Sequence, residues 1–352
     1  MAAVWIARAM ITRQPVRLPA PLPAIVAVAL WGAAQLASHG TVYSFETGKA
    51  VLYWSANAAV FFVAMQICLS AYLRNRFLYV LLWFGFVLSI VVVLQYFTSN
   101  GRVFWIFPTA YERTLGPFLY KNQCAAFLEL VFPLAVYQSV VDRRRTLLYT
   151  AIAATMFATV IAAVSRAGAV LVSCELIAIL ALAWMWKLIT VRDFGRKLAA
   201  TAALCLLLTG VVGWRTTWEK FNQPEPYRMR RELLLSSVSM IRERPWTGFG
   251  MGTWAAAYPA YARFDNGLTA NHAHNDWAEW TVEGGLPVLG LLALLALWSL
   301  PRAAHSLWSI GIPTVFVHSL VDYPLREPAL AAVLFAMLGA LAAKRAIPPT
   351  FE

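Results

Sequence analysis

The sequence predicts an all-α fold, a polytopic transmembrane bundle of about ten helices with a helical cap loop on one face, and three observations predict it. First, 60% of the 352 residues are hydrophobic and only 13% are charged. That composition suits a chain whose solvent is lipid. Second, apolar runs approaching the roughly 20 residues of a spanning helix recur at 22–39, 50–71, 77–98, 121–141, 146–165, 168–187, 198–214, 285–300, 306–321 and 328–343. Third, the basic residues sort by side once these runs are threaded through a bilayer.

The first run follows Arg8, Arg13 and Arg17, as in a signal peptide, but nine further runs behind it make it a retained anchor. Threading puts fifteen basic residues on one side: Arg8, Arg13, Arg17, Arg74, Arg76, Arg143, Arg144, Arg145, Lys187, Arg192, Arg196, Lys197, Arg302, Lys344 and Arg345. Only Lys49, Arg102, Arg113, Lys121, Arg166 and Arg326 fall in the short loops of the other. Positive charge resists translocation, so both termini are expected in the cytoplasm. The net charge of +12 is then mainly a topology signal with attraction to anionic lipid headgroups, and it makes no case for nucleic acid. Cys68, Cys124, Cys174 and Cys205 all lie in apolar runs, where cysteine behaves as a small hydrophobe; no disulfide or thiolate metal site is implied.

Two outward loops are long enough to build a site, 99–120 and 215–284. With no internal repeat and no low-complexity linker, residues 1–352 read as one integral membrane domain, and 215–284 as its periplasmic cap. Glu129 and Glu175 fall inside spans, where an ionisable group is costly; function and hydrogen bonding within the bundle are both open.

In the long loop, RRELLLSSVSMIRERP (230–245) places Leu234, Val238 and Ile241 on one helical face, and Pro245 stops the helix. An amphipathic helix on the membrane surface is expected. Arg228, Arg230 and Arg231 crowd its leading end, where the dipole is already positive, so an anion should offset them. Lipid phosphates reached by snorkelling are one candidate, and a diphosphate between guanidinium groups and helix N–H groups is the other. GFGMG (248–252) alternates glycines like a dinucleotide loop, but no strand precedes it, so it reads as a tight turn.

The polar stretch NHAHNDWAEW (271–280) comes next. A helix is expected from Ala273 to Glu283, ended by Gly284 and Gly285, with His274 in its first turn in line with Trp277 and Thr281. There the dipole and nearby arginines favour the uncharged ring, which accepts a proton. His272 and His274 as a metal pair fit poorly, because two residues separated by one in a helix point in different directions.

All the candidates face one surface: Arg113, Lys121, Asn122, Arg166, the Arg228 to Arg231 cluster, His274, Asp322 and Arg326. Each has a plainer reading. Arg166 could pin a helix end, Asp322 could pair with Arg326, and Glu283 could cap or support. Together they describe a basic site open to the outer leaflet.

GPFLYKNQCAAFLELVFPLA (116–135), SRAGA (165–169), RRELLLSSVSMIRERPWTGFGMGTW (230–254), HAHNDWAEWTVEGGLPVLGL (272–291) and HSLVDYPL (318–325) resemble, in order, motifs of the O-antigen ligase and polymerase superfamily. The resemblance runs from about residue 110 to the C-terminus. It implies an inverting glycosyltransferase of the bacterial inner membrane, working at the periplasmic face without metal or other cofactor. Its donor is an undecaprenyl-diphosphate-linked glycan, and its acceptor is lipid A–core for a ligase or another glycan for a polymerase.

The resemblance assigns catalysis to His274 and diphosphate or substrate binding to Arg166 and Arg230. Arg228, Arg231, Lys121, Asn122 and Arg113 stand close by, and Asn275, Asp276, Glu283 and Asp322 are supporting. Tyr120 and Lys121 depart from the family pattern ahead of Asn122, and the spans are fewer than in typical members. A protein acceptor and a lipid-linked glycan flippase are the other classes. A flippase would place ionisable groups near the midplane and show paired halves, whereas these cluster at one surface.

Overall fold

The computed structural model describes residues 17–109, 114–118, 120–212, 228–263, 267 and 269–344. It is mostly helical, and the helices are numbered in chain order. They are α1 (Leu22–Ala37), α2 (Ser44–Cys68), α3 (Ala71–Thr98), α4 (Lys121–Val141), α5 (Thr146–Ala162), α6 (Arg166–Met185), α7 (Val191–Val212) and α8 (Arg228–Glu243). The short α9 (Trp254–Ala257), α10 (Asp276–Ala304), α11 (Gly311–His318) and α12 (Pro328–Ala343) follow. A two-stranded ribbon of two-residue strands lies between α3 and α4.

Among the described residues five helices, α2, α3, α4, α6 and α10, are long and apolar enough to cross a membrane. Helices stand at the other apolar runs too, but α1, α5 and α12 are shorter. The run at 306–321 is broken into a 3-10 turn, Leu307–Ser309, and the eight-residue α11. At 1.5 Å per residue α11 covers about 12 Å, well short of the roughly 30 Å hydrocarbon layer.

The chain divides into two compact units. The first comprises 1–74, 226–302 and 319–352, and the second 75–225 and 303–318. In the first, α2 packs between α1 and α12. Gly339 of α12 lets that helix come so close to α2 that a methyl group there would overlap the Phe61 carbonyl. Such small-residue contacts substitute for the hydrophobic drive that is missing between helices in lipid. Trp54 of α2 meets Phe335 of α12 and Trp280 of α10 edge-on, at 5.9 and 6.2 Å between ring centroids.

In the second unit, α4 is buried along most of its length. α5 and α6 pack on it, and α7 packs on α5. Gly168 brings α6 against Ala125 of α4, and Gly311 brings α11 against the Glu129 and Leu130 carbonyls. Glu129 is hydrogen-bonded inside this unit: both its oxygens lie 2.9 Å from His318 Nδ1. Glu175 is buried on α6.

The α8 helix forms where its sequence placed it, and it packs inward through a face other than that of Leu234. Leu233, Ser236, Ser237 and Met240 are the buried positions, while Leu234 and Leu235 remain 38% exposed. The reason is a polar anchor inside the apolar seam. Ser237 Oγ accepts the indole N–H of the fully buried Trp254 at 3.0 Å, and Leu233, Met240, Phe249, Trp254, Tyr258, Ala273 and Val282 close into one cluster around it. The turn Gly248–Gly252 locks this cluster to α10. Gly285 has a positive φ that interrupts α10, and Phe249 N–H and Gly250 N–H donate to the Val282 and Glu283 carbonyls at 2.9 and 3.0 Å. Gly248 must be glycine: its φ is +65°, and a Cβ would overlap the Glu283 carbonyl.

Candidate active site

The polar stretch 271–280 is not helical throughout. The helix begins at Asp276, and His274 stands ahead of it in the left-handed region at φ +52°, so the expected start at Ala273 is corrected by three residues. Asn275 is what starts the helix. Its Oδ1 accepts Ala278 N–H at 2.9 Å, as an N-cap residue does, and its Nδ2 donates to the Leu320 carbonyl at 2.8 Å. Asp276 is the buried anchor: its N–H donates to the Ser319 and Asp322 carbonyls, and its Oδ2 accepts Ser319 Oγ and Leu325 N–H, both at 3.0 Å. Asn275 and Asp276 therefore tie the start of α10 to segment 319–325. His274 is held out of the helix between the two.

That segment delivers Asp322. Its buried carboxylate accepts Arg230 Nη2 at 2.9 Å through Oδ2, while Oδ1 lies 3.3 Å from His274 Nδ1 and takes the Tyr323 N–H at 2.9 Å. One carboxylate thus joins a histidine and an arginine from two parts of the sequence. The His274 side chain is 30% exposed, and no hydrogen bond is made by Nε2 among the described residues. The Tyr323 ring stacks on His272 at 4.3 Å and meets His274 edge-on at 4.8 Å. His274 is held by an acid on one side and an aromatic ring on the other.

The plainer pairing of Asp322 with Arg326 is not what forms. Arg326 turns to α10, where Asp276, Glu279 and Glu283 share one face, with ion-pair distances of 3.6, 3.2 and 2.9 Å. Burial alone would lower the guanidinium pKa, but Glu279, Glu283 and Asp276 together hold it above its ordinary value. Glu279 also takes His272 Nδ1 at 3.0 Å and Ala273 N–H at 2.8 Å. Glu283 takes Trp254 N–H at 3.3 Å. Glu283 thus ties α10 to both Arg326 and Trp254. Glu279 and Tyr323, absent from the sequence reading, belong to the same support. The three acids at positions i, i+3 and i+7 were the available signal, since that spacing puts them on one stripe of a helix.

Of the clustered arginines, only Arg230 is drawn to this centre. Arg231 is exposed and 3.4 Å from its neighbour Glu232, and Arg228 is exposed at the first position of α8. Arg166, Lys121 and Asn122 are in the second unit. Lys121 opens α4 and Arg166 opens α6, where Ser165 caps the helix by accepting Gly168 N–H at 3.2 Å. The contact of Gly168 with Ala125 brings the starts of these two helices together. Arg113 lies outside the described residues.

Residues 151–295 match the family model described as O-antigen ligase. This stretch, less than half of the chain, supports a place in the O-antigen ligase and polymerase superfamily. The match takes in Arg166, Arg230, His274 and the three acids of α10, and it stops ahead of Asp322 and Arg326. A search of curated proteins finds no match to the chain. Members of that family are membrane glycosyltransferase-like enzymes, whose general partners are a lipid-linked glycan and a glycan acceptor.

Proposed function

We propose that the chain is an inverting O-antigen ligase that moves a glycan from undecaprenyl diphosphate to a sugar hydroxyl of lipid A–core. The observation that carries this reading is the Asp322 carboxylate joining His274 to Arg230. An ionised carboxylate at Nδ1 fixes the proton there and leaves the Nε2 lone pair for the acceptor hydroxyl. His274 takes that proton as the hydroxyl oxygen bonds to the anomeric carbon. The bond from that carbon to the diphosphate breaks, and its electron pair leaves with undecaprenyl diphosphate. Arg230, whose guanidinium has five donors, can hold Asp322 and a phosphate together and stabilise the charge that develops. Family resemblance alone gives Arg166 the same task.

The left-handed backbone of His274 supports this assignment, since such strain in a residue with a side chain persists where surrounding structure over-determines it. Asn275, Asp276 and Tyr323 are that surrounding structure. In the proposed topology of ten membrane passages, both termini are cytoplasmic and 215–284 forms a periplasmic cap. The exposed Leu234 and Leu235 stripe of α8 then rests on the outer leaflet. Reporter fusions in 99–120 and 215–284 should read periplasmic, and those at 142–146 and 188–197 cytoplasmic. A cytoplasmic signal from 215–284 overturns the topology and the site with it.

Lysine in place of Arg166 or Arg230 keeps the charge and loses the two-pronged geometry. Transfer from purified lipid-linked glycan should fall for either variant, and further for alanine. Wild-type transfer by a well-folded double alanine variant removes the arginines from the mechanism. The acceptor is read from the glycans of a deletion strain. Accumulated lipid-linked polymer supports the ligase, whereas loss of long chains with a single capped unit remaining replaces it with a polymerase.

A further inference from the structure

The end of the second unit remote from Lys121 and Arg166 contains a cavity of about 330 Å³. It lies where the close of α4 meets the starts of α5 and α7 and the loop after α6. Arg143, Arg196 and Lys197 line it, with Asp193 as the acid among them. The acid is already engaged, for its Oδ2 accepts both the hydroxyl and the N–H of Thr190, at 2.9 and 3.3 Å. Lys197 Nζ donates to the Ser139 carbonyl, and Arg143 reaches the Leu188 carbonyl at 3.5 Å. Arg196 is exposed. Three cations against one acid leave the cavity with a surplus of two positive charges.

The rest of the lining is apolar. Ile189 is buried in the wall, while Leu147 is 82% and Leu188 38% exposed at its edge. A soluble anion has no use for such an edge, but a phospholipid has: its phosphate meets the cations and its chains continue along the apolar flank. The volume equals roughly ten water molecules, room for a glycerophosphate head. Basic pockets between membrane helices on the positively charged side are suited to anionic headgroups.

We propose that this cavity binds the headgroup of an anionic phospholipid of the bilayer leaflet at this end of the helices. The proposal is independent of the transferase reading, because it needs only that these helix ends meet a leaflet.

The test is native mass spectrometry of the full chain in detergent, titrated separately with phosphatidylglycerol, phosphatidylcholine and inorganic phosphate. Phosphatidylglycerol should bind in preference to phosphatidylcholine. Arg143→Gln combined with Arg196→Gln should weaken that binding by about tenfold to thirtyfold, since each cation near a headgroup contributes a comparable share. Lys197 is left in place because it also ties α7 to α4. Arg192→Gln, which removes a neighbouring charge outside the cavity, should retain wild-type binding. Equal binding of the two lipids, or an unchanged preference in the double variant, overturns the proposal. Inorganic phosphate that competes as well as the lipid overturns it also, by making this a soluble-anion site.

Discussion

His274→Ala should lower glycan transfer by about 10² to 10⁴, the range that a general base contributes, while leaving the amount of folded protein unchanged. The variant removes a side chain that is partly exposed and, among the described residues, makes one polar contact, to Asp322, so little of the described scaffold depends on it. Asp322→Asn should reproduce much of the loss, because an amide can no longer both fix the imidazole proton and balance Arg230. The control is His272→Ala. Its Nδ1 is turned to Glu279 and its ring is stacked on Tyr323, so its loss should lower transfer much less. Chelator should leave the wild type active, since the proton goes to imidazole. The measurement is transfer from purified lipid-linked glycan by each variant in detergent, with and without chelator. Equal damage from the two histidine variants together with abolition by chelator would make the pair a metal site and sink the mechanism.

The residues differ in how far the sequence alone exposed these roles. Helices were legible because uninterrupted apolar runs admit few alternatives in lipid, and each run did become a helix or a broken one. Where the polar stretch begins its helix was not legible. The pattern placed His274 in line with Trp277 and Thr281, yet the first residue was decided by Asn275 capping Ala278 and by Asp276 binding segment 319–325. The partners in segment 319–325 lie more than forty residues away, and periodicity carries no information about them. The face by which α8 packs inward was not legible for a related reason: Leu234 of the expected apolar face stays outward, while a serine bonded to Trp254 accompanies Leu233 and Met240 inward.

Electrostatic partners were the least legible. Asp322 and Arg326 are four positions apart and of opposite charge, which invites a local pair. Two longer-range pairs form in its place, Asp322 with Arg230 and Arg326 with the acids of α10. In both, the acid and the base come from segments that only the fold brings together. Which of Arg228, Arg230 and Arg231 pairs with Asp322 likewise follows from the fold and is not given by spacing along the chain.

Arg326→Ala should have the largest effect on folding. The side chain is 16% exposed and stands among three acids that are each nearly or fully buried. Without it, Asp276, Glu279 and Glu283 face one another with no cation, and leaving a buried charge uncompensated costs about 3–5 kcal/mol. That is a large fraction of the stability of an ordinary domain, so little folded protein should be recovered from membranes. Arg326→Lys should rescue it only in part, since a single ammonium cannot reach three carboxylates spread over two helical turns. Combining Arg326→Met with Glu279→Gln and Glu283→Gln removes two of the three acids along with their partner and leaves Asp276 to its bonds with Ser319 and Leu325. Folding should then recover beyond that of Arg326→Ala, as replacing the members of a buried ion network together often permits. The readouts are the yield of monodisperse protein and its thermal midpoint in detergent. Arg326→Ala with the yield and midpoint of the wild type would show that the acids do not depend on Arg326, and the account of how α10 is held against 319–326 would fail with it.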